Sequence, residues 1–305
     1  MGQYIMKRLG QAVIVLLGVT LFVFIMLNLT GDPTDFMLEP GASPEATAAL
    51  RERLGLDQPL PIRYLIFIKG VIRLDFGDSY YYGQPAMSLI LEHLPATMLL
   101  ASVSLGLAVL WSIPAGILSA VKRNSACDTA IRFISFVGQA FPTFWMGLLL
   151  MLVLAVRMQL LPTYGYGSWK HLIMPCIALS THAAASITRL MRSSMLDVLN
   201  KEYIVATKAK GIGSFNLIGQ HALKNSISSV ITIVGMQFAS MMGGSIVIEN
   251  VFSYPGVGKL LVRAITTRDF AVVEAGVFVI ALFFVCINLL IDISYALINP
   301  RVRYD

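Results

Sequence analysis

Residues 94–121, LPATMLLASVSLGLAVLWSIPAGILSAV, contain no Asp, Glu, Lys or Arg. A helix rises about 1.5 Å per residue, so about 20 residues cross the roughly 30 Å of bilayer hydrocarbon. This stretch therefore reads as a transmembrane helix with residues to spare. Five more charge-free stretches run 9–31, 133–156, 171–188, 225–248 and 275–291. The stretch 171–188 is short and is expected to borrow its ends as far as Met195. The last is expected to continue past Asp292 toward Leu297. The reading is an all-α membrane protein with six transmembrane helices at 9–29, 94–121, 133–156, 171–195, 225–248 and 275–297.

Composition agrees. Of the 305 residues, 56% are hydrophobic and 13% charged, and the mean hydropathy is +0.74. Soluble domains carry about 25% charged residues, and a soluble surface this apolar would be covered in greasy patches. A water-soluble globule, a disordered chain and a disulfide-built secreted domain are excluded. The net charge of +6 points to membrane topology rather than to nucleic acid, because basic residues collect in cytoplasmic loops. Cys127, Cys176 and Cys286 lie far apart without a CxxC pair, so no disulfide, thiol catalysis or metal cage is expected.

With the N-terminus inside, the cytoplasmic segments hold 13 basic and 4 acidic residues, and the outer segments hold 10 and 12. Residues 1–8 and 298–305 are then cytoplasmic ends. The first span is too long for a signal peptide, lacks a small-residue cleavage pattern and is expected to stay attached. Two connections exceed simple turns. Residues 30–93 face outside: Ser43-Pro44-Glu45 reads as a cap and first turn, Gly55 as a stop, and Leu60–Ile72 as a second short helix. Its Asp75-Phe76-Gly77 triplet matches a kinase motif, but no glycine-rich or catalytic loop accompanies it. Residues 249–274 form a further outer loop. Residues 196–224 face the cytoplasm. There Leu196–Lys210 reads as a helix ended by Gly211 at a positive-φ position. Ser214 is then expected to cap a second helix to Leu223. On composition alone the segment also fits a solvated loop held near headgroups by its lysines.

Several chemistries lack their residues. The nearest approach to the phosphate-cradling G-x-x-x-x-G-K-[ST] loop is Ser253–Leu260, which has Ser253 and Leu260 where Gly and Ser or Thr are required. No H-E-x-x-H motif is present. Of the four histidines only His182 lies well inside a span, beside Thr181 and Ser186, and reads as a packing or cavity residue. Polar groups within spans mark pathways or packing contacts: Gln139, His182, Arg189, Gln237, Asn288 and Asp292. Gly235, Ser240, Gly243, Gly244 and Ser245 give the fifth span a small-residue face, which suits close packing or a permeant. Gln139, His182, Gln237 and Ser240 are the translocation-path candidates. Pro114, Pro142 and Pro175 are expected to kink spans two, three and four.

The segment Glu202-Tyr203-Ile204-Val205-Ala206-Thr207-Lys208-Ala209-Lys210-Gly211, followed by His221-Ala222-Leu223-Lys224-Asn225, resembles the EAA loop of ABC-importer permeases. More narrowly the chain resembles the first permease subunit of dipeptide, oligopeptide and nickel importers. The resemblance runs through Gly31-Asp32-Pro33, Leu54–Leu60, Asp75–Ser79, Leu94–Thr97, Arg192–Leu199, Gly243-Gly244-Ser245, Glu249, Phe252, Pro255–Gly258, Arg268-Asp269 and Asn299-Pro300-Arg301. One departure is Leu223-Lys224, where the general pattern often ends in Leu-Pro.

The resemblance implies that Glu202, Tyr203, Ala206, Lys208, Ala209, Lys210 and Gly211 couple the chain to a cytosolic ATPase. It implies a heterodimer with a homologous second permease, two cytosolic ATPase subunits and an extracytoplasmic substrate-binding protein in the inner membrane, with no nucleic-acid partner. This chain would carry no cofactor or metal and would not itself be an enzyme; ATP and Mg would bind the partner ATPases. Glu249, Phe252, Pro255, Gly256 and Gly258 become outer loop or gate candidates. Cargo would be short peptides, or nickel and its chelates, and Gly165–Trp169 looks somewhat like nickel-type members. The rival readings are a stand-alone channel or secondary transporter and, further behind, an intramembrane enzyme using His182.

Overall fold

The computed structural model describes residues 2–30, 34, 38, 43–53 and 55–298. Gly31-Asp32-Pro33, Leu54, Asn299-Pro300-Arg301 and the last residues of the expected tail fall outside them. The described residues form helices α1 (Gly2–Leu29), α2 (Pro44–Arg53), α3 (Leu60–Arg73), α4 (Ala86–Val121), α5 (Ala126–Ala140), α6 (Thr143–Arg157), α7 (Trp169–Leu199), α8 (Glu202–Ala209), α9 (Ser214–Val251), α10 (Val257–Thr267) and α11 (Phe270–Ile298). Five of these are long and apolar enough to cross a membrane: α1, α4, α7, α9 and α11. A bent pair, α5 with α6, makes a sixth if it counts as one span.

The bent pair turns the kink expected at Pro142 in the span 133–156 into a full break between two helices. α5 and α6 meet at 102°. Pro142 has no N–H to donate and crowds the residue before it, so Phe141 takes the extended conformation (φ −90°, ψ 134°) and the helix stops. Each half has 15 residues, about 22 Å of helix, which is too short to cross alone. Pro175 and Pro114, by contrast, sit inside continuous helices. Other bounds move outward: the expected spans at 94–121, 171–195, 225–248 and 275–297 begin at Ala86, Trp169, Ser214 and Phe270.

One compact unit comprises Met1–Thr97 and Pro255–Val285. Ser43 caps α2, its hydroxyl accepting the Ala46 N–H at 3.2 Å, and Gly55 sits at φ +65°, as the sequence suggested. The same cap holds the Glu45 carboxyl below its usual range, through its backbone hydrogen bond and then Ser43. α10 is amphipathic: Val257, Leu260, Leu261 and Ala264 fall on one buried face. They pack against α11 so closely that a Cβ on Gly276 would stand 2.5 Å from Leu261 Cδ2. Phe76 and Phe278 join this core, their ring centres 5.4 Å apart. Between α10 and α11 the buried Asp269 carboxylate accepts the Ser79 hydroxyl and the Val272 N–H. A cavity of about 740 Å³ in this unit is lined by Phe24, Arg63, Phe67, Arg73, Asp75 and Glu274, among others.

The second unit comprises Met98–Tyr254 and Cys286–Asp305. α7 is its hub, packed by α5, α6 and α9. Small residues set the closest crossings. A Cβ on Gly116 would lie 2.6 Å from Met191 Cβ and 2.9 Å from the Thr188 carbonyl, so α4 and α7 touch nearly backbone to backbone there. Gly235 gives Ile291 its place in the same way.

Candidate functional site

The segment 196–224 departs from the expected two-helix elbow in two ways. The expected helix Leu196–Lys210 is divided: α7 ends at Leu199, and Lys201 is extended (φ −75°, ψ 145°) before α8 begins. Ser214 is not a cap either. Gly213 occupies that position with no side-chain bond, and the helix does not stop at Leu223. Its ladder widens over Leu217–Leu223 and runs on to Val251. No proline interrupts 214–251, and Leu217, Ala222 and Ser226 continue a buried stripe across the widened turns. The expected Gly211 conformation is observed, at φ +79°.

α8 is eight residues long. A helix that short does not hold itself in water, and its anchor is Ile204, 3% exposed. A second tie runs from the Asn225 side-chain amide to the Tyr203 hydroxyl at 3.1 Å. The expected coupling residues Glu202, Tyr203, Ala206, Lys208, Ala209, Lys210 and Gly211 are all exposed. Val205 is 63% and Phe215 89% exposed beside them. Phe215 escaped the sequence reading because one aromatic in a polar segment has no periodic signal.

The translocation-path candidates differ in burial. Gln139 and Gln237 are half-buried, His182 and Ser240 exposed, and no hydrogen bond among the described residues links the four. Gln139 lies on α5 two residues before the break at Phe141. The outer candidates turn into the packing of the chain. Glu249 is fully buried, and its carbonyl accepts the Tyr254 N–H at 2.8 Å. Phe252, 2% exposed, fills the space over Gly147. Tyr254 is buried edge-on to Tyr166 at 5.2 Å between ring centres, and its hydroxyl has no hydrogen-bond partner among the described residues. Burial, and then the neighbouring Tyr166, pushes that phenol well up. In the other unit Pro255 is half-buried and Gly256 and Gly258 are buried. The Val257 N–H there donates to Thr97 Oγ1 at 2.9 Å.

Sequence reasoning treated Asp128 as a topology charge and Arg192 as a topology charge and part of the Arg192–Leu199 resemblance, without pairing them. The structure joins them in a bidentate pair, Arg192 Nε to Oδ1 and Nη2 to Oδ2, both 2.8 Å, with Asp128 fully buried. Ser125-Ala126-Cys127-Asp128 is a capping spacing that would have placed this carboxylate at a helix start; the long-range partner had no local signal.

The described residues thus make a multi-span helical chain with a short, exposed helix between two of its long apolar helices. Residues 112–304 match the family model "Binding-protein-dependent transport system inner membrane component", and residues 1–101 match its N-terminal companion, "Binding-prot-dependent transport system membrane comp, N-term". The chain belongs to this family: it is a multi-pass membrane component, a permease subunit of an ABC importer. It is 39% identical over 316 residues to the oligopeptide transport system permease protein AppB of Bacillus subtilis (strain 168), covering 100% of both chains. It is 38% identical, again over the whole of both, to the glutathione transport system permease protein GsiC of Salmonella typhimurium (strain LT2). The dipeptide transport system permease protein DppB of Alkalihalophilus pseudofirmus is 38% identical over 99% of each chain. Among solved structures, an inward-facing MetNI methionine ABC transporter matches 70% of this chain and 95% of its own with a TM-score of 0.55 at 17% identity. An amino acid ABC transporter matches 70% and 94% with a TM-score of 0.53 at 14% identity.

Proposed function

We propose that this chain forms half of a translocation pathway for short peptides, working by alternating access with a homologous second permease. Two cytosolic ATPase subunits hold ATP and magnesium, and one of them seats α8 in a surface groove. An extracytoplasmic binding protein delivers cargo to the opposite face, and both chain ends are cytoplasmic. Nucleotide binding draws the ATPases together, α8 moves with its groove as a rigid body, and the spans beneath follow. Only a difference in nucleotide affinity between the two states drives such a shift. Peptide cargo follows from relatives whose names specify oligopeptides, dipeptides and glutathione; none of these carries a nickel assignment over to this chain.

The observation that carries the proposal is α8 itself: pinned by Ile204, stopped by Gly211, and showing Tyr203, Val205, Ala206 and Lys210 to solvent. Ala206 permits close approach to a groove, and Arg there blocks it without disturbing the fold. The test reconstitutes the complex with its ATPases and binding protein and follows ATP-driven uptake of radiolabelled tri-alanine. Ala206→Arg should insert normally but lose both ATPase co-purification and uptake. Uptake by the isolated chain without ATP, or full ATPase retention by Ala206→Arg, refutes the reading in favour of a stand-alone channel or secondary transporter.

A further inference from the structure

Asp128 collects more partners than a helix start requires. Its own N–H is capped by Ser125 Oγ at 3.3 Å, while its carboxylate accepts the Asn124 N–H at 2.9 Å and the Ser119 hydroxyl at 2.6 Å. Arg132, one turn on, stands 3.4 Å from Oδ1. Those contacts all belong to the α4–α5 hairpin. Arg192 alone comes from α7, and it takes both carboxylate oxygens in a planar fork. A fork fixes direction and register as well as distance. Packing alone does not call for it, since apolar residues fill such sites as well or better.

The position on α7 is what gives the pair a task. One turn away, at Gly116, α4 and α7 touch through Met191 and the Thr188 carbonyl. In the other direction Arg192 is followed by unbroken helix to Leu199, about 10 Å, then Asn200-Lys201, then α8. Near this end the Ser226 hydroxyl donates to the Ser194 carbonyl at 3.2 Å, tying α9 to α7. Asn225 holds Tyr203 of α8. A displacement of α8 therefore reaches α7 and α9 at once, and the Arg192 fork carries it to α4 and α5.

We propose that the Asp128–Arg192 pair is a positioning clamp that makes the α4–α5 hairpin follow the coupling helix, so that ATPase motion is converted into movement of the pathway. The inference rests on α8 as the ATPase-docking helix. It is tested in the full reconstituted complex with Arg192→Gln, Asp128→Asn and the charge-free double variant. The readout is the factor by which the binding protein stimulates ATP hydrolysis, beside the amount of ATPase subunit bound. Each single variant should keep its ATPases yet lose between about twofold and thirtyfold of the stimulation, the range by which residues along a coupling route act. The double variant should be no worse than the worse single one, because both singles break one interaction. Unchanged stimulation overturns the proposal. So does loss of stimulation in step with lost assembly in the double variant, which assigns the pair to folding alone. Ala206→Arg separates the two readings: if it sheds ATPase while the clamp variants stimulate normally, only the clamp fails; if it retains ATPase, docking through α8 fails.

Discussion

Ile204→Ala perturbs the apolar anchor of α8. Ile204 is 3% exposed, and truncating a buried Ile to Ala costs about 2 to 5 kcal/mol. α8 lies at the edge of its unit and relaxes easily, so the low end, about 2 kcal/mol, applies. An eight-residue helix has almost no stability of its own to absorb that loss, so it appears as local unfolding. At 1.4 kcal/mol per decade the open form gains about thirtyfold. Hydrogen–deuterium exchange resolved over residues 202–210 should show protection falling by about that factor, with α7 and α9 unchanged. Affinity for the ATPase subunit falls by the same factor where the ordered form is the minor one, because only that form docks. Val205→Ala is the matched comparison: one residue along and 63% exposed, it should leave exchange unchanged while weakening ATPase binding. Equal protection of 202–210 in the Ile204→Ala and native proteins would refute the reasoning, as would a uniform loss across the chain.

Gly116→Ala puts a Cβ 2.6 Å from that of Met191; forcing α4 and α7 apart should cost about 1–3 kcal/mol, seen as a lower Tm of the complex in nanodiscs. Ser79→Ala strips the buried Asp269 of its side-chain donor and should cost about 1–3 kcal/mol; the same melting assay checks it, and an unchanged Tm counts against the assignment. Tyr254→Phe removes a buried hydroxyl without a partner among the described residues, so stability should hold or rise. Its raised phenol also fixes a sign: the native chain keeps that stability below the unfolded value of about 10 and loses it as pH climbs toward the higher folded value. The Phe variant should lack that alkaline loss, and a melting curve taken at successive pH values decides it.

The spans were legible because lipid demands long charge-free runs, and α1, α4, α7, α9 and α11 each coincide with one. Local chemistry was legible too: the Ser43 cap, the Gly55 and Gly211 turns, and α3 over nearly its expected length. What escaped was set by competition between neighbours. Pro142 was visible, but nothing in 133–156 distinguished a kink from a 102° corner. Ser214 to Leu223 read as a separate helix ending before the fifth span, yet the stripe through Leu217 and Ala222 carries the helix straight through. In the candidate site the proposed docking residues read as a continuous string, whereas Ile204's inward turn depends on packing across the segment. The Asp128–Arg192 pair spans 64 residues of sequence, and no pattern along one chain pairs charges at that distance.

The corner between Ala140 and Thr143 has a consequence for how the subunit is made. Where α5 and α6 cross the bilayer as one span, the corner leaves the last carbonyls of α5 and the first amides of α6 inside the hydrocarbon, where no lipid can bond them. Such a corner is tolerated only beneath protein or beside water. A copy released into the bilayer alone is thus an orphan with a wound in its flank, and a cell would do well to insert it alongside the subunit that dresses it, or to degrade it.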